Sequence, residues 1–248
     1  MLLAIDIGNT NIKAGIFDRQ KLLDYFIASN FPEIISSLGS YNITAASISS
    51  VVPEKTKLIY EEVESSFRCK PFIITNNVKF NLEVKYKTPD TLGIDRLCSV
   101  EGALLSYKNL DKGTYLITID FGTATTINIV KYPKLFIGGL ISPGIKTLFQ
   151  SLNKQTSQLP ELIIDKYKSL IGDDTLTSIA SGVVNSTVGL IDKTIKSLLE
   201  FSDCKEVIVY ATGGMADKLR GFLNQDIVYD KYLVLRGISV IYDLNKNS

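Results

Sequence analysis

The chain has 248 residues, of which 45% are hydrophobic and 21% are charged, and its formal net charge is +1. These values are ordinary for a soluble globular protein, and a chain of this length can bury a substantial core. Its 27 Lys and Arg residues are balanced by 26 Asp and Glu residues, so the sequence lacks the excess of positive charge that binds nucleic acid or an anionic membrane surface.

The residue types that are missing narrow the chemistry and the location further. The sequence has no histidine, which excludes His-based triads, His-ligated zinc and histidine general bases. Any proton transfer must therefore use Asp, Glu, Lys, Tyr or Cys. Three cysteines without a CxxC pair, no signal peptide and no run of about 18 apolar residues favour a protein of the reducing cytoplasm that does not span a membrane.

In the first half of the chain, hydrophobic periodicity predicts three successive strands and then alternating helices and strands. The predicted elements are strands at 2–7, 12–17 and 22–28, a helix from Pro32 to about Leu38, a strand at 43–52, a helix at 54–67 and a strand at 71–75. A polar connection over 76–89 then leads to an amphipathic helix that ends near Tyr107.

The second half repeats this plan. We predict strands near 115–121, 125–132 and 135–141, a helix to about Leu152, a polar and mobile segment at 153–165, a helix to about Phe201, a strand at 206–211, a helix after 212–214, a short strand at 227–229 and a helix at 233–244. The repeated plan indicates an α/β protein with two domains, 1–113 and 114–248, each a mixed sheet with crossover helices.

Two stretches, 3–12 and 117–127, share one pattern in which an apolar run ends on Asp and is followed by an apolar residue, Gly and small polar residues. In such a strand–turn–strand unit the main-chain N–H groups can bind phosphate oxygens, while the carboxylate binds a metal cation. Either copy alone is explained equally well as an ordinary β-hairpin. Two copies predict similar halves that bring two phosphate-binding hairpins to a shared cleft. The candidate residues are Asp6, Asn9, Thr10, Asp120, Thr123 and Thr125.

The segment 92–96, Leu-Gly-Ile-Asp-Arg, is the best candidate for a reaction centre. An Asp beside an Arg at a helix start can be a plain capping and salt-bridge pair. Without histidine, however, a kinase needs a carboxylate that faces the acceptor hydroxyl. Arg96 would keep Asp95 ionised and could bind an anionic part of the acceptor.

Three further motifs are weak evidence when taken singly. The glycine-containing segments 138–144 and 212–214 stand at strand or helix ends, where each could be only a turn, although the second could also let the backbone approach a base or ribose. The pair Asp174-Thr175 is most simply a helix cap, with a substrate contact as the less favoured interpretation.

In this order the motifs resemble those of the type III pantothenate kinases, which belong to the acetate kinase, sugar kinase, Hsp70 and actin superfamily. The resemblance covers essentially the whole chain and also includes Ser49-Ser-Val-Val-Pro53, Tyr86 followed by Pro89, and Ser181-Gly182. It implies two ribonuclease-H-like (actin-like) domains with ATP in the cleft between them. It also implies a homodimer whose subunits pair through the second half and complete the pantothenate pocket.

The resemblance implies transfer of the γ-phosphate of ATP to pantothenate, the first step of coenzyme A synthesis, with Mg²⁺ and a monovalent cation, K⁺ or NH₄⁺. It assigns Asp95 as the proton acceptor and Asp120 as the ligand of the monovalent cation. It assigns the binding of ATP to Asp6, Ile7, Gly8, Asn9, Thr10, Asn11, Ile12, Lys13 and Thr123. It assigns the binding of pantothenate to Tyr86, Gly93, Ile94, Asp95, Arg96 and Thr175. Many relatives have an acidic residue where Asn128 stands and a longer body, which leaves the cation details open.

Two alternatives remain at this point. A phosphoanhydride hydrolase of the same superfamily would use the same hairpins but would need no acceptor pocket around Tyr86 and Arg96. A regulatory protein is the second alternative, because the family also contains the Bvg accessory factor lineage linked to transcription. The presence of Asp95 and the near-neutral charge count against direct DNA binding.

Overall fold

The computed structural model describes residues 1–39, 41–107, 111–155, 159–160, 163–223 and 226–246. The strands are β1 Leu2–Ile7, β2 Ile12–Asp18, β3 Lys21–Ala28, β4 Ala45–Ser50, β5 Phe72–Ile73, β6 Glu83–Val84, β7 Thr114–Phe121, β8 Ala124–Lys131, β9 Leu135–Pro143, β10 Glu206–Thr212 and β11 Ile227–Tyr229. The α-helices are α1 Phe31–Ser37, α2 Pro53–Phe67, α3 Ile94–Leu104, α4 Ile145–Gln155, α5 Thr175–Leu199, α6 Ala216–Leu219 and α7 Leu233–Asn245. Short 3₁₀ helices cover Pro89–Thr91, Ile164–Lys166 and Arg220–Phe222.

Backbone contacts divide the chain into two compact units. The first comprises Met1–Leu110, Lys134–Gly138 and Tyr232–Ser248, and the second comprises Asp111–Pro133 and Gly139–Lys231. The C-terminal helix α7 therefore belongs with the N-terminal elements. The predicted domain boundary at residue 113 stays a prediction. A division of the chain by backbone contacts does not show which segments fold as independent domains.

The first unit is built on a five-stranded sheet in the order β3-β2-β1-β4-β5. β1 pairs antiparallel with β2 and parallel with β4, so the sheet is mixed. α2, α3 and α7 all contact β4, and α7 also contacts the central strand β1 and its neighbour β2. All six residues of β1 are buried as a result, which agrees with its nearly continuous apolar sequence.

Helices α3 and α7 of the first unit pack at unusually short range because glycine occupies both sides of the contact. A Cβ atom added at Gly102 would overlap the carbonyl oxygen of Leu233, and one added at Gly237 would overlap the carbonyl oxygen of Cys98. The two backbones can approach this closely only because glycine has no side chain.

The second unit contains β11, β10, β7, β8 and the second half of β9, which are hydrogen-bonded in that order. β7 pairs antiparallel with β8 and parallel with β10, which repeats the arrangement around β1 in the first unit. The long helix α5 contacts α4 and β10. The prediction of an α/β chain with mixed sheets and crossover helices is thus confirmed element by element.

Several element ends differ from the prediction for identifiable reasons. The strand predicted at 43–52 is limited to Ala45–Ser50, because Thr44 and Ala45 both donate to the carbonyl of Met1 and Pro53 begins α2. α3 ends at Leu104 because Ser106 and Tyr107 make i→i−3 bonds of the 3₁₀ type. β6 was not predicted, because a strand of two residues is too short to show an alternating pattern.

Part of the predicted mobile segment 153–165 lies outside the described residues, while α4 continues to Gln155. The helix predicted after 212–214 has only four residues, followed by a 3₁₀ turn. Within the described part of the chain, none of the helices combines the length and the hydropathy required to cross a bilayer.

Candidate active site

The first candidate hairpin joins β1 to β2 through a tight turn. The N–H of Gly8 donates to the carbonyl of Asn11 over 3.1 Å, and the turn residues 9–11 are exposed. Lys55 of α2 reaches the turn, with its Nζ 3.3 Å from the carbonyl oxygen of Asn9. The turn therefore presents exposed polar groups on a short, fixed loop, as a phosphate-binding hairpin requires.

Asp6 and Lys13 face each other across this hairpin. They are direct partners in the antiparallel register, and Lys13 Nζ lies 4.0 Å from Asp6 Oδ2. Asp6 is only 8% exposed, so its carboxylate stands in a region of low polarity where the charge of Lys13 is felt strongly. Ile7 and Ile12, in contrast, are buried core residues, so they hold the hairpin in place and can offer a nucleotide only their backbone.

The second feature of the first unit is the N-terminus of α3, where Gly93 is the N-cap residue and Asp95 lies in the first turn. The Asp95 carboxylate folds back onto the helix start, and its Oδ1 accepts the N–H of Arg96 over 2.9 Å. A Cβ atom at Gly93 would lie 2.5 Å from Asp95 Oδ1. Glycine at position 93 is therefore a requirement of the Asp95 conformation.

Burial raises the pKa of Asp95 above its ordinary value of 3.8, while the backbone N–H and charge of Arg96 and the charge of Lys13 lower it in part. A carboxylate with a raised pKa is a stronger base than a surface Asp and can accept a proton more readily. The influence of Lys13 also shows that the first hairpin and Asp95 share one electrostatic environment.

The guanidinium of Arg96 is held by two aromatic rings. Arg96 is 5% exposed, and its Cζ lies 5.7 Å from the ring centroid of Phe136 and 6.0 Å from that of Tyr86. The two rings contact each other edge to face at 6.1 Å. Gly138, with φ +131°, lies beside the Tyr86 ring. This geometry fixes a planar group that can bind a carboxylate through two hydrogen bonds.

The second candidate hairpin joins β7 to β8 in the second unit. The N–H of Gly122 donates to the carbonyl of Ala124 over 3.1 Å. The carbonyl of the exposed Thr123 accepts from the N–H of Gly144 over 2.9 Å and from Thr147 Oγ1 over 2.8 Å. Asp120 stands at the end of β7, opposite Thr126 of β8 and beside Thr212 of β10.

Both glycine motifs of the second half pack directly on this hairpin. A Cβ atom at Gly144 would overlap the carbonyl oxygen of Gly122, and one at Gly213, where φ is +96°, would overlap Asp120 Oδ1. The two motifs are therefore places of close backbone approach. A contact of Gly213 with a base or ribose stays a prediction.

The donors around Asp120 suit a cation that prefers oxygen. Among the described residues, no three Asp, Glu, Cys or His side chains come together as a metal site. A cation at Asp120 would therefore bind one carboxylate and complete its shell with hydroxyl, carbonyl and phosphate oxygens, which suits K⁺ or Mg²⁺ and not zinc. Asp120 Oδ1 borders the space that glycine leaves open at position 213, so this residue fits such a role.

The N-terminus of α5 holds the remaining predicted residue, Thr175. Asp174 caps the helix by accepting the N–H of Thr177 over 2.7 Å, and this bond lowers the pKa of the Asp174 carboxyl. The interpretation of Asp174 as a cap is confirmed. Thr175 is exposed and lines an open cavity of about 820 Å³ that includes Leu152 of α4 and Val183 of α5.

The structure thus brings Asp6, Lys13, Tyr86, Asp95 and Arg96 together in the first unit, and it places Asp120, Thr123 and Thr175 in the second. Sequence reasoning missed Phe136, which gave no signal among the other apolar residues of β9. It also missed the buried Glu101. A charged residue on the apolar face of an amphipathic helix was the available signal.

Comparison with known proteins identifies relatives over the whole chain. A family model described as type III pantothenate kinase matches residues 2–197. The type III pantothenate kinase of Finegoldia magna is 34% identical over 263 residues, which cover 100% of this chain and 98% of the relative.

Solved structures support the fold at much lower sequence identity. The ethanolamine utilization protein EutJ of Carboxydothermus hydrogenoformans aligns with a TM-score of 0.53 and 14% identity, covering 96% of this chain and 89% of its own. The ROK hexokinase of Thermus thermophilus aligns with a TM-score of 0.51 and 13% identity, covering 97% of each chain. The predicted ribonuclease-H-like (actin-like) fold is thereby confirmed.

Proposed function

Because this chain belongs to the type III pantothenate kinase family, whose members phosphorylate pantothenate with ATP in coenzyme A biosynthesis, we propose that Asp95 is the base of that reaction. The observation that carries this proposal is the partly buried Asp95 carboxylate at the start of α3, whose Oδ1 accepts the N–H of Arg96 and whose pKa is raised by burial and lowered in part by the charges of Arg96 and Lys13. No histidine competes for this role, because the sequence has none.

The acceptor would be held by residues around Asp95. The guanidinium of Arg96, fixed by Tyr86 and Phe136, is suited to the carboxylate of pantothenate. Gly93 and Ile94 would contact the substrate at the helix start. Thr175 is the remaining proposed ligand, supported by its exposure on an open cavity, and the pocket would be completed in a homodimer.

The phosphates of ATP would be bound by both hairpins, through the exposed turn of residues 8–11 and through Thr123, with Asp6 and Lys13 at the base of the first hairpin. The pantothenate hydroxyl oxygen forms a bond to the γ-phosphorus while the bond to the β-phosphate oxygen breaks, ADP leaves, and Asp95 takes the hydroxyl proton. Mg²⁺, and K⁺ or NH₄⁺ at Asp120, supply neutralisation of the phosphate charge when bound.

The test is ADP release by the purified protein with ATP, Mg²⁺ and K⁺, with and without pantothenate, for the wild type and Asp95→Asn. We expect strong release that depends on pantothenate, a fall in kcat of about 10²- to 10⁴-fold in Asp95→Asn, and a lower rate when Na⁺ replaces K⁺. Thermal unfolding of both proteins checks that the variant is folded.

Each other result has a distinct meaning. Release that is indifferent to pantothenate would favour hydrolysis of the phosphoanhydride. Retention of most of kcat in Asp95→Asn would remove Asp95 from the role of base. ATP binding without release would favour a regulatory function. We propose that the protein binds neither nucleic acid nor a membrane, because its positive and negative charges are balanced.

We also propose that the protein is a cytoplasmic homodimer. The family resemblance supports the dimer. None of the three cysteines forms a disulfide and Cys98 is buried, which supports a reducing compartment. Sedimentation velocity over a range of protein concentrations tests the oligomeric state, and a monomer at micromolar concentration would contradict it.

A further inference from the structure

Glu101 is a fully buried carboxylate to which the proposed reaction gives no task. It lies on α3, five residues after Arg96. One oxygen, Oε1, accepts the backbone N–H of Asn81 over 2.6 Å, and the other, Oε2, accepts the side-chain Nδ2 of Asn81 over 2.9 Å. A buried carboxylate is costly unless several donors satisfy it, so this cluster is a specific arrangement.

The surroundings of Glu101 balance its charge only in part. Burial raises its pKa, whereas the hydrogen bonds from Asn81, the backbone N–H of Leu82 and the charge of Lys134 lower it. Asn81 and Leu82 belong to the connection that precedes β6, and Lys134 directly precedes β9, the strand that pairs with β6. The position of the carboxylate and the position of that connection are therefore linked.

The connection that Glu101 holds leads directly to the acceptor site. Asn81 and Leu82 precede β6, whose Glu83 N–H donates to the carbonyl of Lys134 over 2.8 Å. The next bond of this pairing runs from the Lys85 N–H to the carbonyl of Phe136 over 2.9 Å. Tyr86 follows at once.

The contacts that begin at Glu101 of α3 lead back to the same helix at Arg96. Tyr86 contacts Phe136, and Arg96 of α3 lies over both rings. A second buried group, Asn245 of α7, holds Lys79 by accepting its N–H and donating to its carbonyl, both over 3.0 Å. Hydrogen bonds to Asn245 and to Glu101 thus hold residues 79–82 at two points, although their sequence predicts a polar loop.

We propose that Glu101 is a positioning residue for the acceptor site, because its carboxylate fixes residues 81–82 and thereby the register of β6, Tyr86 and Phe136 around the guanidinium of Arg96. This inference rests on the proposed role of Arg96 and Tyr86 in binding pantothenate. It predicts that Glu101 controls the affinity for the acceptor and leaves the binding of ATP unaffected.

The test is steady-state kinetics of Glu101→Gln with each substrate varied in turn. The amide is uncharged and offers one oxygen and one NH₂ group, so both charge-assisted bonds become neutral ones, and the Asn81 amide must turn over to accept from the new NH₂ group. We expect the KM for pantothenate to rise about tenfold, while kcat and the KM for ATP change less than about twofold, because the positions of groups that bind the acceptor shift by a fraction of an ångström.

Two controls separate positioning from general stability. Val63→Ala shortens a buried side chain of α2 and lowers stability elsewhere in the first unit, and it should leave both KM values unchanged. The double variant Glu101→Gln with Asn81→Asp exchanges amide and carboxylate, restores a charge-assisted side-chain bond, and should return the KM for pantothenate to within about threefold of wild type. If Glu101→Gln does not fold, Asn81→Ala removes the same side-chain bond from the exposed partner and should raise that KM alone.

The outcomes distinguish this inference from the proposed site. Tyr86→Ala is measured in parallel, and an unchanged KM for pantothenate in that variant would contradict the proposed acceptor site itself. A raised KM in Tyr86→Ala with unchanged values in Glu101→Gln and Asn81→Ala would overturn only the positioning role of Glu101. Equal rises in the KM for ATP and for pantothenate, matched by Val63→Ala, would also overturn it.

Discussion

At the scale of single residues, the charge environment of Asp95 determines its usefulness as a base. Asp95 must be ionised to accept a proton, and burial raises its pKa above the ordinary 3.8, so activity should fall as the pH decreases through a window above that value. The charge of Lys13 lowers this pKa. Lys13→Gln should therefore move the acid limb of the pH–rate profile to higher pH.

Profiles of kcat for the wild type, Lys13→Gln and Lys55→Gln measure this shift. Lys55 is the matched control, because it also reaches the first hairpin, where it donates to Asn9, but is not among the charges that lower the pKa of Asp95. An acid limb that stays in place in Lys13→Gln, or that moves equally in Lys55→Gln, would contradict the argument.

Gly213 is a second residue whose effect is local. Its φ of +96° and its approach to Asp120 Oδ1 leave no room for a side chain, whereas a Cβ atom at Gly214 would meet nothing within 4 Å. Gly213→Ala should displace the Asp120 carboxylate and raise the K⁺ concentration for half-maximal activity by about tenfold or more. Gly214→Ala should leave the K⁺ dependence near that of the wild type, and equal effects would remove Asp120 from the cation site.

At the scale of elements, the contact between α3 and α7 supports the helix that carries Asp95, Arg96 and Glu101. Gly237→Ala forces a methyl group onto the carbonyl of Cys98, so the helices must separate, at a cost of about 1–3 kcal/mol or more. Gly189→Ala in α5 is the control, since its Cβ atom would meet nothing within 4 Å and alanine favours a helix. Thermal unfolding should show a lower Tm for Gly237→Ala and an equal or higher Tm for Gly189→Ala.

At the scale of the whole molecule, the C-terminal helix α7 packs in the first unit, with the N-terminal elements. α7 contacts α3, β1, β2 and β4, although about 130 residues separate it from α3. A variant that ends at Lys231 should therefore lose the first unit's packing and with it the kinase reaction. Circular dichroism and pantothenate-dependent ADP release measure this loss, and a cooperative unfolding transition with wild-type activity in the shortened chain would contradict it.

The sequence alone determined the order and type of most elements, because strong apolar periodicity and the Pro and Gly positions are local signals. It also indicated the two hairpins and the Gly93–Arg96 segment, where the residue types carry the chemistry directly. Element ends were less predictable, since β4 and α3 end where particular backbone hydrogen bonds end.

Only the tertiary structure decided which distant residues come together. No local signal connects Phe136 with Arg96, Glu101 with Asn81, or Gly237 with Cys98, because these contacts depend on strand pairing and helix packing between segments far apart in the chain. The same holds for the raised pKa of Asp95, which follows from burial by other elements and not from its neighbours in sequence. The side chains that neighbour one another along a segment follow from the sequence, whereas the dielectric environment of a side chain and the close approach of two backbones follow from packing.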